Sequence, residues 1–432
     1  MNLIFQQRAG VPVTQVVLVF PRSGACLDPP GQRGIGRLLL RLMMAGADGL
    51  DNAEFNGRLE RLGASLGYSL SNDHLRLRLF TLTESLDAAL DLLMAALHHP
   101  NLDAAEFARL QQDSLSAWQA DREESKVVRA QEVYLGRLYQ DQPQGYQPDG
   151  TLQGLRALSL DTVRQHYTRL LGRADPLLAV LSDLSRERVE RQVLPRLTAP
   201  PLAEGLPYPW DGFRPSPPQG LQACIVADAE TQTDEVLLGG FTVPETVPDW
   251  HIHKLIALVL GGDMNSRLFR VVRGEHGYSY GASCWYESSH GHCPRNQVSP
   301  FSLYTFPTVE HTAQAVPLLL SLYRQFCEQG VTAEELRRGQ ESLINSFPFT
   351  RDTAQKRLAL EVEHTLYGIT LDDEASFQDK VLAITAADVQ RVLRQTHPAQ
   401  AQHLVLLGDP ERLKPVAQAL PGLQHLDVVH YP

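Results

Sequence analysis

The chain has 432 residues, a formal net charge of -11, 43 % hydrophobic residues and 21 % charged residues. That length predicts two or more domains with substantial cores, and the ordinary balance of apolar and charged residues excludes extended disorder. The acidic excess, with no basic patch to offset it, disfavours a general nucleic-acid binder.

The opening residues Met1 to Arg8 lack a charged start followed by a long apolar core, so no secretory signal is expected. No apolar run is long enough to span a bilayer, and no membrane partner is expected. Cys26, Cys224, Cys284, Cys293 and Cys327 are scattered and odd in number. They fit reduced thiols rather than a disulfide framework, and the expected compartment is the cytoplasm.

Val13 to Phe20 is rich in β-branched residues and reads as a strand ending in the turn-forming Pro21-Arg22-Ser23-Gly24. A glycine-bounded helix follows from Gly34 to Gly46, then a second, amphipathic one from Asp51 to Ala64. Strands are expected at 66–71 and 74–79, the latter alternating strictly between an apolar and a basic face. Helical spacing covers Ser85 to His98 and one long stretch from Asp103 to Leu138, and a strand at Pro176 to Leu181 precedes a helix from Ser185. Residues 197–220 are proline-rich and read as an interdomain linker between a domain at 1–196 and another at 221–432.

Beyond that stretch the order begins again. Strands are expected at Cys224 to Ala227 and Glu235 to Phe241, helices at Asp249 to Leu260 and Asn265 to Arg273, and strands at Tyr278 to Tyr286 and Gln297 to Phe306. Helices at Thr312 to Glu328 and Ala333 to Ser346, a strand at His403 to Leu407 and a closing helix after Asp409 complete the second half. Internal duplication is the simplest account. The expected class is α+β: two homologous domains, each a mostly antiparallel sheet covered by helices.

Within the first glycine-bounded helix, Arg37 and Arg41 lie four residues apart and so share a face. Periodicity alone reads this as a buried helix with one wet edge. Two guanidinium groups there must reach water or a partner, because an unpaired buried charge is very costly.

Three segments together resemble the pitrilysin-type inverted-zincin peptidases, in the smaller-chain branch that includes mitochondrial processing peptidase. The first is the Gly34–Gly46 helix, where active members carry H-x-x-E-H. The second runs from Leu260-Gly261-Gly262-Asp263-Met264-Asn265-Ser266-Arg267-Leu268-Phe269 through Arg273 to Tyr280, and the third from Glu335 to Gln340 with Phe347-Pro348 beyond. In that register the two histidines and the glutamate of the motif fall on Arg37, Arg41 and Leu40. Arginine stays protonated and offers only donors, so neither arginine can ligate zinc, and Leu40 removes the general base. The later helix that supplies a glutamate ligand in active relatives has only Asp113 between Leu110 and Gln119, expected to be a solvated helix residue.

The resemblance further implies that an arginine and a tyrosine of the C-terminal domain reach the zinc site and bind the substrate backbone; Arg273 and Tyr280 match that pair. A guanidinium can clamp a peptide carbonyl, and a phenol can donate to a developing oxyanion. Cys284, His290, His292 and Cys293 lie within ten residues. Their spacing matches no common structural zinc pattern, so an exposed hairpin tip is expected there rather than a metal site. Glu275 and His276 read as solvated turn positions. The resemblance therefore implies a non-catalytic subunit, inactive alone and holding no cofactor, that lends Arg273 and Tyr280 to a zinc-bearing homologous partner acting on peptides. The alternative is a structural or peptide-binding protein of the same fold with no proteolytic role.

Overall fold

The computed structural model describes residues 2–172, 175–201, 207–397 and 399–431, so positions 202–206 of the proline-rich stretch lie outside it. In chain order the first half runs β1 (Leu3–Gln7), β2 (Val13–Phe20), α1 (Ile35–Met43), α2 (Asn52–Arg61), β3 (Ser65–Leu70), β4 (Leu75–Leu82), α3 (Leu86–His98), α4 (Ala104–Glu124), α5 (Lys126–Leu138), α6 (Leu152–Arg156), α7 (Leu160–Leu171), β5 (Leu177–Ser182) and α8 (Arg186–Gln192). The second runs β6 (Leu221–Ala227), β7 (Glu235–Phe241), α9 (Trp250–Ala257), β8 (Ser279–Tyr286), β9 (Pro300–Pro307), α10 (Thr312–Gln329), α11 (Ala333–Ser346), α12 (Ala354–Tyr367), α13 (Glu374–Leu382), α14 (Ala386–Thr396), β10 (Gln402–Gly408), α15 (Pro410–Gln418) and β11 (Leu423–His430).

Two sheets result, in the orders β1-β5-β2-β4-β3 and β11-β6-β10-β7-β9-β8. Both are mostly antiparallel, with parallel pairing confined to β1 with β5 and to β6 with β10 and β11. The half-polar edge strands β1 and β11 carry too weak an alternation to be read from sequence, and the sheet partner decides them.

The stretch expected as one long helix breaks at Ser125, which is extended at φ -116°, ψ 99°. The break has a consequence for the units. One compact unit comprises 1–120, 146–212 and 350–368; the other comprises 121–145, 213–349 and 369–432. Each sheet thus takes one helix from the opposite half of the sequence, and the boundaries at 196 and 220 mark the repeat in sequence rather than the edges of the units.

In the first unit α12 covers one sheet face, Leu358 and Val362 packing on Ile4, Val17, Val19, Ala179 and Leu181. This explains the basic face of β4. Arg76 reaches Glu363 of α12 at 2.5 Å, and Tyr367 donates to buried Asp73 at 2.8 Å. In the second unit α5 lies against β7 and β10. Tyr134 bonds Ser302 at 2.9 Å, Arg129 pairs with Asp228 at 2.6 Å and Arg137 with Asp427 at 2.7 Å. A Cβ at Gly239 of β7 would stand 2.2 Å from the Tyr134 hydroxyl and 2.3 Å from the Phe301 carbonyl oxygen. Gly239→Ala should therefore cost about 1–3 kcal/mol of stability through overpacking. Gly67→Ala on edge strand β3, where a Cβ meets nothing within 4 Å, serves as its near-neutral control in urea titrations.

Candidate functional site

In the first unit, Gly34 enters α1 with φ +99°, and the buried Asp28 carboxylate caps the helix by accepting from Gly34 N at 2.8 Å and Gly36 N at 3.2 Å. Gly36 must lack a side chain, since a Cβ would lie 2.9 Å from Asp28 Oδ1 and 3.3 Å from Leu70 of β3. Ile35, Leu38, Leu39, Leu40 and Leu42 are buried, so Leu40 is a core residue and no base. Arg41 is half-buried and leans on α4: it donates to Ser114 Oγ at 2.6 Å and to the Leu110 carbonyl at 3.4 Å, with Asp113 at 3.6 Å. Asp113 is thus not simply solvated. It bridges Arg41 and Arg109, the latter at 2.9 Å, because the negative carboxylate lies between two guanidinium groups that α1 and α4 bring together.

Arg37 is exposed, and both arginines bear on Tyr68 of β3. Burial raises the Tyr68 phenol, and the charges of Arg37 and then Arg41 partly offset the rise. Tyr68 and Ser114 went unnoticed in the sequence, where nothing but the tertiary register of β3 and α4 links them to the arginines. These residues do not fit a zinc ion. Arg37 and Arg41 offer donors only, and Asp113 is already bound to cations. Among the described residues no group of three or more His, Cys, Asp or Glu could hold a metal ion.

In the second unit, Gly261 sits where a Cβ would meet the backbone nitrogen of Cys284 at 2.5 Å, so the Gly-Gly turn packs directly on β8. Arg267 is tied down by Glu335 at 2.6 and 3.0 Å and by the Gly330 carbonyl at 3.1 Å. Glu335 also closes the capping box with Thr332 at the start of α11. The Ser-Arg-Leu-Phe and Glu335 segments are therefore one structural joint. Residues Phe269–Glu275 form a widened helical turn, which Gly277 ends at φ +66°; its N–H reaches the Arg273 carbonyl at 3.1 Å.

That reversal places Tyr280 on β8, the edge strand of its sheet, with the Arg273 guanidinium carbon 4.2 Å from the Tyr280 ring centroid and 4.8 Å from that of Phe269. Arg273 is held by two aromatic faces, and it forms no ion pair among the described residues. Tyr280 is 74 % exposed. It stands in a bulge where Tyr280 and Gly281 oppose Phe306. Ser279 fixes the bulge by donating to Gly281 O at 2.8 Å and accepting from Phe306 N at 3.2 Å, and Thr305 donates to Gly281 O at 2.9 Å. Phe269 was legible in principle as the residue four before Arg273; Ser279 and Thr305 carry no sequence signal. Glu275 pairs with Arg270 at 2.7 Å and His276 stacks on Tyr278 at 4.9 Å, both at exposed positions.

The hairpin is exposed at its tip, at Ser289, His290 and Gly291, as expected, but its base is not. Glu287, Ser288 and Cys293 are buried, as are the other four cysteines. Burial would raise the Glu287 carboxyl, but hydrogen bonds from His292, Ser302 and Trp285 hold it below the usual range. Cys284 and Cys293 are pushed upward by burial alone or chiefly by it, which makes them poor thiolate ligands.

Comparison with known proteins agrees with this architecture. Residues 6–147 match the family described as Insulinase (Peptidase family M16), and 157–343 match Peptidase M16 inactive domain. A protein named Non-peptidase homolog YmxG from Helicobacter pylori is 22 % identical over 394 residues, covering 91 % of this chain and 88 % of its own. An Uncharacterized zinc protease from Rickettsia bellii is 20 % identical, covering 89 % and 90 %. In fold, a crystal structure described as a peptidase M16 inactive domain from Pseudomonas fluorescens superposes with a TM-score of 0.80 at 19 % identity, covering 94 % of this chain and 95 % of its own. The periplasmic protease PqqL from Escherichia coli gives 0.74 at 14 % identity, over 96 % of this chain and 47 % of that one. The chain belongs to peptidase family M16, as a non-peptidase homologue.

Proposed function

We propose that this chain is the non-catalytic, substrate-binding subunit of a two-chain zinc peptidase, lending Arg273 and Tyr280 to the active site of a homologous partner that carries H-x-x-E-H and the zinc. The observation that supports it is the Arg273–Tyr280 pair: a guanidinium against two rings with no ion pair among the described residues, beside an exposed phenol on a bulged edge strand. A site that served only the fold would bury or pair these groups, as Arg267 is paired. The substrate class is an extended peptide or unfolded segment, which an edge strand can bind by backbone pairing. We take the compartment to be the cytoplasm, on the scattered and odd-numbered cysteines of the sequence. No described helix is long and apolar enough to cross a membrane.

The test is a quenched-peptide assay with this chain alone, a zinc-motif homologue alone, and the two mixed. Cleavage only in the mixture, with zinc found only in the homologue, supports the reading. Cleavage by this chain alone would overturn it, and a homologue equally active with or without this chain would favour the purely structural or peptide-binding role.

A further inference from the structure

The arginines that displaced the metal motif leave α1 with a feature of its own. Arg37 is exposed and has no ion pair among the described residues, whereas Arg41 spends its donors on Ser114 and Leu110 and lies against Asp113. Beside them stands Tyr68, on the face of β3 that Leu70 turns toward Gly36 of α1. Among the described residues β3 pairs only with β4 and lies at the edge of its sheet.

We propose that the Arg37–Arg41–Tyr68 corner is a carboxylate-binding site for an extended peptide. The Arg37 guanidinium hydrogen-bonds Tyr68 but makes no ion pair among the described residues, so its remaining N–H donors can meet a planar carboxylate. Tyr68 adds one hydroxyl donor, and Arg41 contributes charge but few spare donors. That set suits a planar monoanion better than phosphate, whose three oxygens and second charge would need a second free fork and would meet the Asp113 carboxylate nearby. Two carboxylates share this chemistry, a chain terminus and an aspartate or glutamate side chain. The site lies wholly in the first unit and does not depend on the role given to Arg273 and Tyr280.

Calorimetry with the full chain and three short N-acetylated Ser/Thr/Val peptides tests it: one with a free C-terminal carboxylate, its amide, and the amide with one internal glutamate. At least one acid-bearing peptide should bind about tenfold or more tightly than the plain amide, and which one does so names the source of the carboxylate. Arg37→Ala should abolish that advantage with an unchanged circular dichroism spectrum, Arg37→Lys should keep only part of it, and Arg273→Ala should leave it intact. Equal binding or non-binding of all three peptides, or an advantage that survives Arg37→Ala, would overturn the proposal. So would displacement of the acid-bearing peptide by inorganic phosphate at lower concentration than by acetate.

Discussion

In the proposed two-chain peptidase, Tyr280→Phe in this chain should lower kcat by roughly 10²-fold, the usual scale for removing one oxyanion donor. The fold should be unaffected, because Tyr280 is 74 % exposed and among the described residues its hydroxyl holds no other group in place. Arg273→Ala should reduce kcat/KM by a similar factor through weaker clamping of a peptide carbonyl, and should also release Tyr280 from the ring contact at 4.2 Å. The two losses should therefore overlap, so that the double variant is little worse than the more damaging single one. Arg273→Lys should recover only part of the activity, since an ammonium keeps the charge and loses the planar fork. Steady-state kinetics of the four mixtures decides the matter. Activity in the mixture that ignores both substitutions would remove the cross-chain role while leaving the family and the fold untouched.

The second large effect is on stability. His253 bonds the Tyr286 hydroxyl at 3.1 Å, which in turn meets His397 at 3.0 Å, and the two imidazoles stack 5.5 Å apart beside Trp250. Burial pushes His253 down to about 4 and His397 well below its ordinary 6.5, each further lowered by a neighbouring imidazole. The folded unit therefore holds both rings neutral while the unfolded chain takes up protons as the pH falls through the ordinary histidine range. Stability is complete above that range and is lost as pH drops from it toward the depressed folded values. Between about pH 7 and about pH 5 the loss is roughly 2 kcal/mol for each histidine, or about 4 kcal/mol for the pair. Urea unfolding at the two pH values should show this, and His397→Asn should remove about half of the dependence. A stability unchanged across that interval would show that the rings are not held neutral.

The α+β class was determined by the sequence, because it rests on local signals: strand alternation, helical periodicity and glycine punctuation. Arg273 and Tyr280 were legible only as members of a segment that resembles a family. That they meet was decided by the wide turn before Gly277 and the bulge at Tyr280, where Ser279 and Thr305 hold the backbone from positions no periodicity marks. The exchange of α5 and α12 between units was equally invisible, since an apolar helix face reads the same whichever sheet it covers. Arg41 finding Asp113 and Ser114, and Arg37 finding Tyr68, follow from α1 lying against α4 and β3 at separations of tens of residues. Sequence set which groups were charged; tertiary packing decided which of those charges were neutralised and which stayed exposed.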